Sequence, residues 1–305
     1  MSVDLSTTLV VGISSRALFD LEKENTIFEQ QGVAAYRDHQ RATEQDPLAP
    51  GTAFPLVRAL LNLNKIRPDK RLVEVIVLSR NSPDTGLRVF NSIEHHGLDI
   101  SRAAFAGGAS LSPYLDSFEV DLFLSKSEQD VQFAIDAGFG AAIIYDPPDQ
   151  APLEDSTLRI AFDADAVLFS EDSERIYREQ GIAAFQAHER TNARRMLPEG
   201  PLAKLLLTLS FIQQSSPPGL SPVRIAVVTA RGSPSHERVI RTLREWNVAV
   251  DEAFFLGGLK KKAEILKAFR AHLFFDDQEL HLKTASRAVP SARVPYRTDS
   301  PLRKV

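Results

Sequence analysis

Cysteine is absent from the chain of 305 residues, which excludes a disulfide framework, a thiolate zinc site and a cysteine nucleophile. The chain also lacks an excess of positive charge, because 36 basic residues face 40 acidic ones and the formal net charge is −4. This balance excludes a strongly basic nucleic-acid-binding protein as the default interpretation. No stretch approaches the roughly 18 apolar residues of a membrane-spanning helix, and the sequence shows no signal-peptide pattern. We therefore expect a cytoplasmic globular protein without nucleic-acid or membrane partners.

The sequence does contain an internal repeat. Five segments of the first half recur in the second half, in the same order and at an offset of 149–151 residues. In the longest pair, residues 73–100 match residues 223–250. A nearly constant offset over five pairs indicates a duplicated unit. We predict two units, residues 1–150 and 151–305, joined by a proline- and aspartate-rich linker at 145–158.

Each unit alternates short apolar segments with amphipathic ones. In the second unit, residues 158–164 and 223–230 are predicted strands, and residues 236–247 are a predicted amphipathic helix. This alternation predicts an α/β fold with two tandem Rossmann-like units, each a parallel sheet with helices on both faces. Sheets of this kind bind ligands at the carboxyl ends of their strands. The chemistry of the protein is therefore expected at those ends.

Polar residues follow all four predicted strands of the second unit. In chain order they are Asp163 and Asp165, Thr229, Lys260–Lys262, and Asp276 and Asp277. Each group alone has an ordinary explanation as a turn, a helix cap or a solvated surface, but all four at strand ends favour a shared site. A carboxylate can attack phosphorus, a second carboxylate can transfer a proton, and hydroxyl and ammonium groups can bind phosphate oxygens. The pattern predicts phosphoryl transfer through an aspartyl-phosphate, with Mg²⁺ as the expected cation.

The order Asp-x-Asp, Thr, Lys and Asp-Asp resembles the haloacid dehalogenase-like phosphatase superfamily. From about residue 8 to about residue 296, the chain also closely resembles the cytosolic type I 5′-nucleotidase family, including its bacterial members. The resemblance is carried by the segments AFDADAVLFSEDSERIYREQG, VVTARGSP and HLFFDDQ. It implies two haloacid dehalogenase-type units with small helical cap insertions. It also implies Mg²⁺-dependent hydrolysis of nucleoside 5′-monophosphates to nucleoside and phosphate.

The resemblance implies a role for each matching carboxylate. Asp163 falls on the family's nucleophile, and Asp165 falls on its general acid and base. Asp165 would also offer its backbone carbonyl to the metal. Asp276 falls on the metal-binding carboxylate, and Asp277 supports the metal or its waters. The implied metal site therefore comprises Asp163, Asp165, Asp276 and Asp277.

The resemblance also implies residues that bind the phosphate. Thr229 falls on the phosphate-binding hydroxyl, followed by Ala230 and Arg231 in the same loop. Arg231 is expected to pair with the phosphate or with a carboxylate of the cap. Lys262 fits the spacing of the phosphate-binding lysine, and Lys261 is the alternative.

The 66 positions between Asp163 and Thr229 are roughly twice what a strand–helix–strand unit needs. The surplus, about residues 172–200, is a predicted helical cap over the site. Within it, Phe185 and His188 are candidates for contact with the nucleoside. A place in the core is the alternative for Phe185, and a structural role shared with the repeat is the alternative for His188.

The first unit keeps the strand pattern and lacks reactive side chains. In the alignment of the two units, Ile13 and Ser15 stand at the positions of the Asp-x-Asp pair, and Ser125 and Lys126 stand at those of the Asp-Asp pair. We therefore interpret the first unit as degenerate and non-catalytic, with a structural role as the default. A regulatory nucleotide is the alternative, because polar residues remain at its strand ends. They are Ser14, Ser15, Arg16, Ser79 and Arg80.

Three other classes of protein share parts of this pattern. A response-regulator receiver has its acidic pair first and its phosphorylated aspartate on a later strand, which is not the order here. A phosphatase of another small metabolite, such as a sugar phosphate, stays open because the cap decides the substrate. A non-catalytic nucleotide-binding protein is the third, and the intact set of polar residues argues against it. The oligomeric state is open, a homo-oligomer included, and the C-terminus is expected to form a short strand at Ala292–Val294 and a partly ordered tail.

Overall fold

The computed structural model describes residues 5, 8–67, 69–146, 148, 157–217 and 222–304. The first half contains β1 (Leu9–Ile13), α1 (Ser15–Leu18), α2 (Glu22–Ala42), α3 (Phe54–Asn62), β2 (Val73–Ser79), α4 (Pro83–His95), β3 (Arg102–Phe105), α5 (Ser112–Ser117), β4 (Leu122–Ser125), α6 (Glu128–Asp136) and β5 (Ala141–Ile144). The second half contains β6 (Leu158–Phe162), α7 (Asp172–Thr191), α8 (Ala203–Gln214), β7 (Val223–Thr229), α9 (His236–Glu245), β8 (Glu252–Phe255), α10 (Lys262–Phe269), β9 (Leu273–Asp276), α11 (Glu279–Ala285) and β10 (Ser291–Arg293). Short helical turns lie at Leu63–Lys65, Ala164–Leu168 and Pro301–Lys304.

The ten strands form one continuous sheet in the order β3-β2-β1-β4-β5-β10-β9-β6-β7-β8. Among these strands the neighbours pair in parallel, apart from β5 and β10, which pair antiparallel. The predicted α/β class with a mostly parallel sheet is confirmed. The structure corrects the expectation of two separate sheets, because β5 and β10 would each be an exposed edge and instead pair with each other. Both halves show the same strand order outward from this junction, and their origin by duplication stays a prediction.

The central strands are buried because helices cover both faces of the sheet. Every residue of β1, β2 and β9 is buried, and their apolar residues follow one another without alternation, as expected for a covered parallel sheet. The polar exceptions are Glu74, Ser79 and Asp276. Large side chains such as Phe123 in β4 and Phe162 in β6 are fully buried. Burying one such side chain stabilises the fold by about 1.5–3 kcal/mol. This rigid sheet fixes the positions of the loops at its carboxyl edge.

The predicted cap at residues 172–200 consists of α7 and the loop after it. α7 has a kink at Gly181, where φ is 81°, and α2 has the same kink at Gly32, where φ is 82°. Most of the predicted linker at 145–158 lies outside the described residues. Among the described residues, no helix combines the length and the apolar composition that crossing a lipid bilayer would need.

The C-terminal segment differs from the expected partly ordered tail. The last strand begins one residue earlier than predicted, at Ser291, and the chain beyond it packs against both halves. The Thr298 amide donates a hydrogen bond to Asp136 at 2.7 Å, and the Ser300 hydroxyl donates to Glu171 at 2.7 Å. Side-chain and backbone partners on α6 and in the loop before α7 order this segment, and apolar periodicity does not reveal such contacts.

Candidate active site

Asp163 and Asp165 lie on a tight turn directly after β6. The Asp163 amide donates a hydrogen bond to the carbonyl of Phe275 at 2.8 Å, which ties the turn to β9. Ala166 then adopts a left-handed conformation with φ of 57°, which costs an alanine about 1 kcal/mol. Such strain is typical of functional turns that the surrounding structure holds in place. The turn leaves both aspartate side chains buried at the carboxyl edge of the sheet.

Lys262 lies between two of the predicted aspartates. Its Nζ is 3.0 Å from Asp163 Oδ1 and 2.7 Å from Asp276 Oδ2, and all three side chains are buried. Burial raises the pKa of Asp163 to about 7; Lys262 opposes this rise, and the nearby carboxylates add to it. Burial lowers the pKa of Lys262, but the two carboxylates outweigh that effect and hold it above its usual value. A fixed positive charge therefore stands beside Asp163.

Lys261 points elsewhere. Its Nζ pairs with Glu264 at 2.9 Å on the exposed surface of α10. The two lysines differ because α10 begins at Lys262, so consecutive side chains leave the helix start in different directions. Of the two candidates, the structure brings only Lys262 to the carboxylates.

Asp276 ends β9 and has several donors. Its carboxylate accepts from Lys262, from the Gln278 amide at 2.8 Å, and lies 3.2 Å from His281 Nδ1. Burial would raise the pKa of Asp276, but Lys262 and His281 outweigh it and the pKa lies below its usual value. Asp276 is therefore a stable anion beside Asp163.

Asp277 has an unsatisfied oxygen. Its Oδ2 accepts a hydrogen bond from the Tyr296 hydroxyl, whereas its buried Oδ1 has no partner among the described residues. Burial raises the pKa of Asp277 well above its usual value, and Asp276 and Asp163 add to the rise. Asp163, Asp276 and Asp277 each offer one oxygen, and these three atoms lie within 4.8 Å of one another. Carboxylate oxygens suit a hard divalent cation, which would relieve their repulsion, so these residues fit a metal ion.

Arg231 connects Asp165 to the cap. Its guanidinium is 2% exposed, donates from Nε to Asp165 Oδ2 at 2.7 Å, and pairs through Nη1 with Glu189 of α7. Glu189 also accepts from Arg238 at 2.9 Å and from Ser173 at 3.0 Å. Burial raises the pKa of Glu189, but the two arginines outweigh that effect and hold it below its usual value. Of the two partners expected for Arg231, the structure shows the cap carboxylate.

The remaining predicted residues lie around Arg231 and Glu189. Thr229 is buried at the end of β7, and its hydroxyl oxygen accepts from the Arg231 amide at 3.2 Å. Ala230 is exposed in the same loop. The Phe185 ring is buried, with the Arg231 guanidinium 5.2 Å from its centroid. His188 is half-buried and its Nδ1 lies 3.1 Å from Glu189. The structure thus brings Phe185 to Arg231, and His188 to the neighbouring carboxylate.

Three residues at this site were not assigned from the sequence. Glu189 lies in the predicted cap, and a carboxylate partner for Arg231 was the signal for it. His281 follows the Asp-Asp pair by one helical turn of α11, a spacing that brings it back towards Asp276. Tyr296 follows β10 and contacts Asp277 only because β10 lies beside β9, so no local pattern marks it.

The fold and the site define a haloacid dehalogenase-like α/β protein, with carboxylates and a lysine gathered at the carboxyl edge of a mostly parallel sheet. A family model described as 5′-nucleotidase matches residues 1–301. The chain belongs to this 5′-nucleotidase family, and the resemblance to the cytosolic type I members is confirmed.

Human cytosolic 5′-nucleotidase 1B is 35% identical to the chain over 289 residues. The match covers 92% of this chain and 47% of the human protein, so the chain spans about half the length of that relative. A crystal structure of histidinol dehydrogenase from Elizabethkingia anophelis aligns with 80% of this chain and 49% of its own, at 9% identity and a TM-score of 0.23. A likeness that weak indicates neither fold nor function.

Proposed function

We propose that this chain is a Mg²⁺-dependent phosphoric monoester hydrolase of the cytoplasm, which converts nucleoside 5′-monophosphates to nucleoside and phosphate. Membership of the 5′-nucleotidase family and the name of the human relative support this substrate class. Residues 151–305 are the proposed catalytic unit, with its cap at about 172–200. Residues 1–150 are the proposed non-catalytic unit.

The observation that carries this proposal is the pairing of Asp163 with Lys262. A carboxylate that attacks a phosphate dianion needs positive charge beside it, because two anions repel each other. Lys262 Nζ supplies that charge at 3.0 Å from Asp163 Oδ1. Preorganised charge of this kind is worth more in a buried site than in water, because it needs no reorganisation during the reaction.

The proposed reaction has two steps through an aspartyl-phosphate. First, an Asp163 oxygen bonds to phosphorus while the bond from phosphorus to the nucleoside oxygen breaks, and Asp165 gives its proton to that oxygen. Then a water oxygen bonds to phosphorus while the bond to Asp163 breaks, and Asp165 takes the proton of the water. Phosphate and nucleoside leave, and both carboxyl groups return to their starting states.

Other side chains bind and orient the phosphate. We assign the Thr229 hydroxyl and the Lys262 ammonium to the phosphate oxygens that do not react. Asp163, Asp276, Asp277 and the backbone carbonyl of Asp165 would hold the cation. Bound Mg²⁺ supplies positive charge that lowers the repulsion between phosphate and carboxylates.

Arg231 acts on the general acid without touching phosphorus. It holds Asp165 through two donors while its third contact, to Glu189, belongs to the cap. We infer that Arg231 positions Asp165 and links its orientation to the cap. Phe185 packs on the same guanidinium and His188 adjoins Glu189, and we keep both as candidates for contact with the nucleoside.

Phosphate release from nucleoside 5′-monophosphates and sugar phosphates, with and without Mg²⁺, tests the proposal. We expect nucleotides to be preferred, Mg²⁺ to be required, and Asp163→Asn to lower kcat at least about a thousandfold, equivalent to about 4 kcal/mol. Asp116→Asn, at an exposed aspartate of α5, is the matched control and should keep full activity.

Each part of the proposal has its own contrary outcome. Full activity in Asp163→Asn would show that Asp163 is not the nucleophile. Preference for sugar phosphates would contradict the proposed substrate class and would not affect the proposed mechanism. No release from any phosphate by the folded protein with Mg²⁺ would favour a non-catalytic nucleotide-binding protein.

A further inference from the structure

The first half contains a cavity of about 660 Å³ at the carboxyl ends of β1 and β2. It lies where the catalytic carboxylates lie in the second half. Small-molecule pockets typically occupy roughly 300–1,000 Å³. Ser15, Ser79 and Asn81 line its floor, and Phe28, Val33 and Tyr36 of α2 line its roof.

The cavity is open because two side chains differ between the halves. Asn81 stands in the position of Arg231, whose guanidinium fills the equivalent space of the second half. Tyr36 stands in the position of Phe185, and its hydroxyl donates to Asn81 Oδ1 at 3.0 Å rather than covering an arginine. A short amide in place of a long guanidinium leaves the floor accessible to a ligand.

The floor suits an anion that binds without a metal. The Ser15 and Ser79 hydroxyls lie 2.9 Å apart, and Asn81 Nδ2 and Arg16 Nε are buried donors without an acceptor among the described residues. Lys126 stands in the position of Asp277 and pairs with Glu22 and Asp146. A cationic side chain therefore replaces a metal-binding carboxylate.

The two carboxylates that line the cavity do not oppose an anion strongly, because each is already engaged. Glu24 accepts from Arg88 at 2.8 Å, and Asp130 accepts from Arg80 Nε at 2.7 Å. Arg16 and Arg37 also line the cavity, and they pair with Glu22 at 2.9 Å and with Asp38 at 3.4 Å. The lining thus contains three arginines and two carboxylates, all in ion pairs, and Arg16 Nε is still a donor without an acceptor among the described residues.

The roof suits a planar apolar group. Phe28 and Val33 are 47% and 68% exposed, and the Phe28 and Tyr36 rings meet edge to face with centroids 5.9 Å apart. Exposed aromatic and aliphatic side chains above a polar floor are the usual design of a pocket for a ligand with one charged and one apolar end.

We propose that this cavity binds a phosphate monoester with a planar aromatic group, without metal and without hydrolysing it. The phosphate lies among Ser15, Ser79 and Asn81, and the aromatic group lies under Phe28 and Val33. No bond of the ligand breaks, because Ile13 stands at the position of the nucleophile.

A tryptophan reporter tests this site separately from the other half. Trp246 is the single tryptophan of the chain, so Phe28→Trp in a Trp246→Phe background reports on the cavity alone. Adenosine 5′-monophosphate, adenosine and inorganic phosphate are titrated in EDTA. We expect a saturable fluorescence change with the monophosphate, and at least tenfold weaker binding of the other two.

Matched substitutions locate the ligand. Ser79→Asp should weaken binding at least tenfold, because a carboxylate replaces a hydroxyl on the phosphate subsite. Thr229→Asp, at the equivalent position of the second half, should leave the affinity measured by the reporter unchanged. Arg16→Glu is a second, more exposed variant that should also weaken binding should Ser79→Asp fail to fold.

Three results would overturn the proposal. They are no saturable change with the folded reporter protein at millimolar monophosphate, equal affinity for adenosine and its monophosphate, and loss of the signal in Thr229→Asp but not in Ser79→Asp or Arg16→Glu. The first result would show that the cavity binds no such ligand. The second would show an apolar pocket without a phosphate subsite. The third would show that the ligand binds in the other half.

Discussion

The two halves share one hydrogen-bond network, here called the frame, in which an arginine joins two helices. They differ in the position of the carboxylate that this arginine contacts. In the second half, Arg238 donates to Glu189 near the end of α7 and to the carbonyl of Arg195. In the first half, Arg88 occupies the same position of α4 and likewise donates to a backbone carbonyl, that of Asp46. Its side-chain partners are instead Gln40 and Glu24, at opposite ends of α2. Moving the carboxylate from one end of the helix to the other preserves the frame and removes the partner that Arg231 needs.

Other equivalent contacts recur without change. The Leu48 amide donates to Ser92 at 3.0 Å, and the Leu197 amide donates to Thr242 at 3.0 Å. Contacts that hold the loops on the sheet are therefore kept in both halves. The differences lie at the strand ends and in the helices α2 and α7 that pack beside them.

The largest difference in stability between the halves is expected from substitutions that change the charge of the frame. Glu189→Gln leaves two buried arginines with less negative charge, and should lower the free energy of unfolding by about 3 kcal/mol or more. Gln40→Glu adds a carboxylate to a pair that already balances, and should cost less. Urea unfolding at neutral pH measures both, and equal losses would show that the halves use the frame alike.

The contribution of Glu189 to the free energy of unfolding depends on pH, and the pKa of its carboxyl group gives the direction of that dependence. The folded-state pKa of Glu189 is depressed, so its contribution is present above the ordinary value near 4.5 and is lost as pH falls below it. Unfolding of wild type and Glu189→Gln at pH 7 and at about pH 4 should show the difference narrow in acid. A constant difference would contradict the assigned charge interaction.

Glycine substitutions should sharpen the equivalence of the halves. A Cβ atom at Gly51 would lie 2.8 Å from the backbone carbon of Phe19, and one at Gly200 would lie 2.7 Å from that of Phe169. Either alanine variant should lower the free energy of unfolding by about 2 kcal/mol, because backbone atoms cannot yield cheaply.

A second matched pair of glycines lies in the two helix kinks. Gly32→Ala and Gly181→Ala meet open space, but φ near 81° with ψ near 180° is a backbone conformation that essentially only glycine adopts, so each variant should cost about 1–3 kcal/mol of backbone strain. Denaturant unfolding of all four variants measures this, and an inequality within either pair would break the predicted equivalence of the halves there.

A smaller effect is expected at a contact that, among the described residues, only the second half has. Tyr296→Phe removes the donor to Asp277, which should weaken Mg²⁺ binding about tenfold. Mg²⁺ dependence of phosphate release measures it, and Tyr145→Phe is the matched control, since the Tyr145 hydroxyl has no hydrogen bond within the part of the chain that the structure describes. An unchanged Mg²⁺ dependence would separate Tyr296 from the cation.

Much of the candidate site could be predicted because it follows a local rule. Asp163, Thr229 and Asp276 each end a strand or follow it directly, and parallel strands bring such residues to one edge. Glu189 and Tyr296 could not be assigned in this way, since a cap helix and the segment after the last strand bring them in. The cavity of the first half could not be predicted either, because it results from the short side chain of Asn81, which leaves unfilled the space that an arginine would occupy.

The sequence by itself determined the alternation of strands and helices, the repeat, and the residues at the strand ends, because these depend on local periodicity and on the geometry of parallel sheets. Only the tertiary structure decided that β5 and β10 join the halves into one sheet. It also decided that Lys262 rather than Lys261 contacts the carboxylates. It decided as well that Arg231 fills, in the second half, the space that is a cavity in the first half. These outcomes depend on how far side chains reach across space, which spacing along the chain does not specify.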